Sequence, residues 1–262
     1  TITFTQPAAS TTSLVLNWDM AGNNTRVYFY LVSIDGNSVG SDFIINNESY
    51  KTSAGSQDLG INGSTHKYAG NVPLGSLTPN KSITVNARGF FNGAFSSDSS
   101  NITGYTLPGT PSFSSSTPTT TSIAVSWSAP TGGVNSTNGY RYYFGTDSTV
   151  TNNTAYDQSG TSKTVSGLVP NQQYYAAIQA KGDGGHFGVI SSTASDFTQA
   201  ATPHSLTASS ITATSMVLGW TAGAGNAPTT YVIYFGTNPS SAGGSGNSSF
   251  TGISGNSTSY TK

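Results

Sequence analysis

Apolar and polar positions alternate with a period of two in several short stretches of this chain, the pattern of strands with one buried face. In residues 12–18, Leu14, Leu16 and Trp18 share one side while Val15 and Asn17 fall on the other. The same string, Thr-Ser-apolar-x-apolar-x-Trp, returns at 121–127 with Ile123, Val125 and Trp127, and at 214–220 with Met216, Leu218 and Trp220. These are the 3 Trp residues of the chain. A second block follows each: Tyr-Arg-Tyr-Tyr-Phe-Gly-Thr at 140–146, Tyr-Val-Ile-Tyr-Phe-Gly-Thr at 231–237, and a looser aromatic run at 27–32. Aromatic and β-branched residues at this density predict strand, and Gly-Thr predicts the turn that ends it. A third block occurs twice. Leu-Val-Pro-Asn at 168–171 and Leu-Thr-Pro-Asn at 77–80 each open into another alternating strand, which closes on Ala-basic-Gly.

Three blocks in a fixed order make an internal repeat. A Trp on the second strand, an aromatic third strand and Leu-x-Pro-x-x-x-Tyr opening the sixth resemble the fibronectin type III domain, a seven-strand antiparallel sandwich of about 100 residues. The resemblance implies an all-β fold of tandem antiparallel β-sandwiches, two complete and one incomplete. It places Trp18, Trp127 and Trp220 in the cores. It also implies that Tyr174 forms a tyrosine corner, whose hydroxyl bonds back to the backbone upstream. The first repeat has Ile83 at the matching position, so that bond is absent there while the fold is expected to persist. The resemblance is specific for fold and says little of function, because such domains serve as spacers, adhesins and receptor modules alike.

Proline marks the joints. Pro108 and Pro111 separate the first repeat (1–107) from the second (108–202), and Pro203 opens the third (203–262). Both linkers are short and stiffened by Pro, which predicts an elongated, semi-rigid rod. The first repeat carries an insertion of about 18 residues between its third and sixth strands, expected as a long loop or an added hairpin. The third repeat has no counterpart of the sixth and seventh strands, which would leave a sheet edge open. Two readings fit: the chain is a piece of a longer protein, or a neighbouring subunit donates the missing strands.

Composition narrows the place rather than the task. Of 262 residues only 7% are charged, giving a net charge of −1, and there are no Cys. Nine cations do not make a nucleic-acid footprint or a polybasic membrane patch, and zero Cys excludes disulfides, thiolate zinc sites and a Cys nucleophile. No apolar run approaches the roughly 18–20 residues of a membrane span. A wet, uncharged surface rich in Ser, Thr, Asn and Gly suits a secreted protein or an assembly subunit. Thr1 is not a start Met and no leader is visible, so any export signal is expected to have been removed or not included. His66, His186 and His204 lie far apart and are expected in exposed loops. The carboxylates offer no acid–base pair, and no nucleotide, hydrolase or calcium motif occurs. The chain is therefore expected not to be an enzyme and to use no cofactor or metal. Lys181-Gly182-Asp183 sits where some members of the resembled family carry an adhesion tripeptide. Since Arg88-Gly89 leaves the strand the same way in the first repeat, a turn is expected.

Sequons stand at Asn23, Asn47, Asn62, Asn80, Asn101, Asn135, Asn152, Asn247 and Asn256, sites a glycosylating source could modify. Tyr143 and Tyr175 are expected on the outer sheet face, where a sugar could stack, although half-exposed sheet Tyr is the plainer reading. The expectation is an extracellular or cell-surface structural protein: a subunit of a filament, sheath or layer that associates with itself or with other surface proteins. The rival is an adhesin stalk or a spacer or binding module of a larger secreted protein, in some way carbohydrate-associated. Decoration of a virion surface has the same composition.

Overall fold

The computed structural model describes residues 2–5, 15–21, 26–34, 36–45, 56–62, 65–71, 78–91, 94–95, 99–135, 137–236 and 248–262. In the first repeat it describes side-chain surroundings chiefly for 78–86 and from 99 onward. All of the regular structure there is strand, apart from one 3₁₀ turn at Val150–Asn152.

The first repeat runs β1 (Ile2–Thr5), β2 (Val15–Ala21), β3 (Arg26–Ile34), β4 (Asn37–Ile45), β5 (Ser56–Asn62), β6 (Thr65–Asn71), β7 (Ser82–Phe91), β8 (Ala94–Phe95) and β9 (Ile102–Tyr105). One antiparallel sheet has the order β1-β2-β6-β5; the other runs β4-β3-β7-β8, with β9 also on β7. The second repeat is plainer: β10 (Ser112–Pro118), β11 (Ser122–Ser128), β12 (Tyr140–Gly145), β13 (Thr154–Gln158), β14 (Ser162–Ser166), β15 (Gln173–Ala180) and β16 (Ala194–Phe197). Its sheets are β10-β11-β14 and β13-β12-β15-β16. The third holds β17 (His204–Ser209), β18 (Val217–Thr221), β19 (Thr230–Phe235), β20 (Ser248–Ser254) and β21 (Ser259–Thr261), arranged as β17-β18-β21 and β19-β20.

Setting the first repeat against the second shows what the insertion became. The strands β4 and β6 hold the places of β13 and β14, since β4 pairs with β3 and β6 with β2. The addition is β5, which pairs with the outer edge of β6, Gln57 opposite Ala69. It is an added hairpin that widens one sheet to four strands. His66, expected in a loop, lies in β6 opposite Met20 and Ile61. The hairpin placed it there, because Thr65 and Asn62 pair at its tip.

The core of the second repeat follows the period of two. In β11 Ile123, Val125 and Trp127 are buried, and in β12 Tyr140, Tyr142 and Phe144 are buried while Arg141 and Tyr143 are not. Trp127 meets Tyr140 edge to face, with ring centroids 5.6 Å apart at 68°, a favoured aromatic geometry. The third repeat repeats this, with Trp220 on Tyr231 at 5.2 Å and 69°. Its core is thinner: Leu218, Tyr231, Ile233 and Ile253 are its buried members, and Trp220 is half-buried. The cause is the sheet order. In the second repeat β12 lies between β13 and β15; among the described residues β19 pairs only with β20. Leu206, which holds the place of Phe113, is left 68% exposed.

Candidate functional site

Tyr174 opens β15 with its side chain inward, 8% exposed and stacked on Phe144 at 5.3 Å. Its hydroxyl accepts the Val169 N–H at 3.0 Å, five residues upstream, which is the geometry of a tyrosine corner. Ile83, in the matching place, is fully buried and has no hydroxyl to make that bond. Trp18 lies in β2 opposite Ile2 and Tyr68.

The turn just before each sixth strand carries more than the corner. In the first repeat Asn80 adopts φ 56°, and in the second Asn171 adopts φ 53°. This is the left-handed region that Asn tolerates better than most residues. Each turn is bracketed by one buried threonine from the end of the last strand. The Thr106 hydroxyl donates to the Thr78 carbonyl at 2.8 Å and accepts the Lys81 N–H at 2.8 Å. The Thr198 hydroxyl donates to the Val169 carbonyl at 2.6 Å and accepts the Gln172 N–H at 3.0 Å. Backbone bonds repeat as well: Asn80 N–H to Leu107 and Asn171 N–H to Gln199, at 3.0 and 3.2 Å. Thr106 and Thr198 are 2% and 1% exposed. Sequence reasoning missed both. The available signal was an aromatic-Thr pair, Tyr105-Thr106 and Phe197-Thr198, ending each last strand.

Asn80 is 6% exposed and faces the second repeat. Its Nδ2 donates to the Gly132 carbonyl and to Asp183 Oδ2, both at 3.2 Å, and its Oδ1 accepts the Asp183 N–H at 2.8 Å. Lys181-Gly182-Asp183 is a turn, closed by the Gly182 N–H to the His186 carbonyl at 2.9 Å, and its Asp lies against the first repeat. The remaining sequons differ in setting. Asn101 is exposed, with Oδ1 accepting from Asn86 at 3.3 Å. Asn135 is half-buried and caps Thr137 N–H at 2.8 Å. Asn152 is exposed and donates to Asp147 at 3.0 Å, and Asn256 is exposed in a turn. Asn62 lies in β5 opposite Thr65; Asn23, Asn47 and Asn247 fall outside the described residues.

On the outer face of the β12–β15 pair, Tyr143 and Tyr175 are half-buried, and their hydroxyls donate to Gln179 at 3.3 Å and Gln173 at 3.1 Å. Beside them Arg141 grips Asp157 through two bonds of 2.7 and 3.0 Å and lies 4.3 Å from the centre of the Phe187 ring. That bidentate bond holds the Asp157 carboxyl below its ordinary range, and the Asn152 amide does the same for Asp147. Burial pushes the Tyr140 and Tyr142 phenols up. His186 is exposed in its loop, and His204 begins β17 with Nδ1 3.0 Å from Ser205 Oγ. Among the described residues no three His, Asp or Glu side chains stand close enough to hold a metal ion, and no helix is long and apolar enough to cross a membrane.

Residues 108–194, the second repeat, match the family described as Fibronectin type III domain, and that repeat is a fibronectin type III domain. Among curated proteins the chain is similar to Exoglucanase B of Cellulomonas fimi, 27% identical over 235 residues that make up 81% of this chain and 18% of that protein. The chain thus spans less than a fifth of that relative's length. Among solved structures it is similar to a two-domain fibronectin type III segment of chicken tenascin, at 20% identity and a TM-score of 0.42, over 76% of this chain and 98% of that one.

Proposed function

We propose that this chain is a non-catalytic spacer arm of a larger extracellular protein, built to hold what flanks it at a distance. One observation carries this reading: the second repeat touches its neighbours at opposite ends. Gly132, which meets Asn80, follows the exit of β11. Asn171, which meets the third repeat through Ala227, lies beside the start of β11, where the Leu168 N–H donates to the Thr121 carbonyl at 3.0 Å. A strand of this length spans about 20 Å, so each added sandwich adds length instead of merging into one body. The likeness to a small part of Exoglucanase B fits a repeat of this kind set within a longer, enzyme-named chain. Small-angle scattering tests the reading. A compact body of this size has a radius of gyration of about 18 Å. A clearly larger value with a rod-like profile is expected, and a value near the compact one would sink the spacer.

A second reading, a self-associating subunit of a surface filament or layer, is favoured by β19, which among the described residues pairs along one edge only, with β20, since open edges invite pairing. Negative-stain microscopy of material from the native source separates the two. Fibres or sheets with a constant axial repeat support the subunit; separate short rods remove it. In neither reading do the three His or the outer-face tyrosines carry chemistry; the Tyr143 and Tyr175 hydroxyls are bonded to Gln179 and Gln173.

A further inference from the structure

The two contacts between repeats share one plan, a positive-φ glycine under a proline with a turn asparagine reaching across. Gly132 and Gly225 each stand five residues after a strand Trp, Trp127 and Trp220. Both adopt positive φ, 81° and 90°. Both lie under the proline of the preceding repeat's turn. A Cβ on Gly132 would run into the Pro79 carbonyl, and one on Gly225 would stand 2.6 Å from the Pro170 carbonyl. At each contact the turn asparagine then reaches across. Asn80 Nδ2 donates to the Gly132 carbonyl at 3.2 Å, and Asn171 Nδ2 donates to the Ala227 carbonyl at 2.6 Å. Asn226 answers from the other side: its N–H donates to Pro170 at 3.0 Å and its Nδ2 to Gln172 Oε1 at 2.9 Å. The first joint has a further clasp, in which Gly182 packs on Asn80 and Gly184 on the Tyr105 ring.

We infer that the Pro-Asn turn and the glycine five residues after the next strand Trp form one reusable docking joint, in which Asn80 and Asn171 set the orientation of the repeat that follows. The partner this surface fits is another repeat of the same kind, recognised by a positive-φ glycine whose missing side chain admits the proline and by a free carbonyl within two residues of it. The asparagines act as positioning residues. Their own repeats hold the turn through Thr106 and Thr198, so the amides are left for the neighbour. The inference deepens the spacer reading by naming what makes the spacer stiff, and it can fail while that reading stands, because an extended arm can also be hinged.

The chain has no Cys, so paired spin labels can be placed cleanly through Ser100→Cys with Ser159→Cys across the first joint, and Ser159→Cys with Thr251→Cys across the second; all three positions are exposed. Electron–electron double resonance on the full chain should give one narrow distance for each pair. Asn80→Gly and Asn171→Gly keep the left-handed backbone but delete the amide. They are expected to leave the near-ultraviolet circular dichroism of the repeats unchanged and to lose the narrow distance at their own joint only. Gly132→Ala and Gly225→Ala should lose it from the opposite side. A distance as narrow in Asn80→Gly or in Asn171→Gly as in the parent overturns the inference, as does a parent with no narrow distance. Should Asn80→Gly or Asn171→Gly unfold its repeat, Gly132→Ala or Gly225→Ala at the same joint decides, and an unshifted narrow distance there overturns the joint.

Discussion

Tyr174 and Asn80 show how differently two residues of one motif can be read. The corner tyrosine was legible because its hydroxyl has one task, set by a fixed spacing from Leu168 and Pro170. Replacing Tyr174 by Phe keeps the stack on Phe144 and removes the bond to Val169, which is expected to cost about 1 kcal/mol. Replacing Trp127 by Ala empties the centre of the core and is expected to cost about 3–5 kcal/mol. Urea unfolding of the two variants against the parent checks both. Asn80 was read as a sequon, whereas the structure buries its amide between two repeats. A cue was available: Asn171 holds the same place without being in a sequon, so an asparagine is used there irrespective of glycan attachment. Expressed in a glycosylating secretory host, chains that acquire a glycan on Asn80 are expected to lose the first joint, because Nδ2 is the attachment atom and also the donor to Gly132 and Asp183. Peptide mapping by mass spectrometry identifies such chains, and an intact first joint in them would contradict the role given to Asn80. Thr106 and Thr198 escaped notice for a plain reason: in a chain so rich in Thr, two buried hydroxyls leave no compositional trace.

Among the elements, the alternating strands with an aromatic seam were the legible ones, and β11, β12 and β15 follow their expected faces residue by residue. Their burial dictates the pattern, so the pattern reveals them. The insertion was legible as length but not as β5, since Gln57, Asp58, Gly60 and Asn62 carry no strand preference; pairing with β6 overrides that. The edge of β19 yields a prediction of its own. In β12 both edges are bonded, to β13 and β15, whereas among the described residues β19 is bonded along one. Amides of β19 not bonded to β20 are expected to exchange with deuterium far faster than their β12 counterparts, because local opening is not needed to reach water. Equal protection in the monomeric chain would mean that the edge is already covered and would remove the ground for self-association, which requires protection gained only on assembly.

At the scale of the whole molecule, charge does little. Nine basic and ten acidic residues in 262, and a partly exposed Arg141–Asp157 pair, leave stability nearly indifferent to salt, as exposed pairs contribute about 0–1 kcal/mol. Acid and alkali both lower stability, through different groups. The lowered carboxyls of Asp157 and Asp147 stabilise the fold above their unfolded value of about 3.9, and that contribution is lost as pH falls through the lower folded values. The raised phenols of Tyr140 and Tyr142 stabilise it below about pH 10 and cease to as pH rises beyond. Thermal midpoints measured from pH 2 to 11 are therefore expected to fall at both ends, and a rise at either would reverse the sign argued here.

The threonine brackets also set an order of events during synthesis. Residues 78–81 leave the ribosome well before Thr106, so the surface that receives the second repeat is not shaped until the last strand of the first has arrived. Pro108 follows almost at once. Each sandwich must therefore finish before it can template the next, and Thr198 imposes the same rule one repeat later. The dock for the newcomer is thus completed by the last residues of its predecessor.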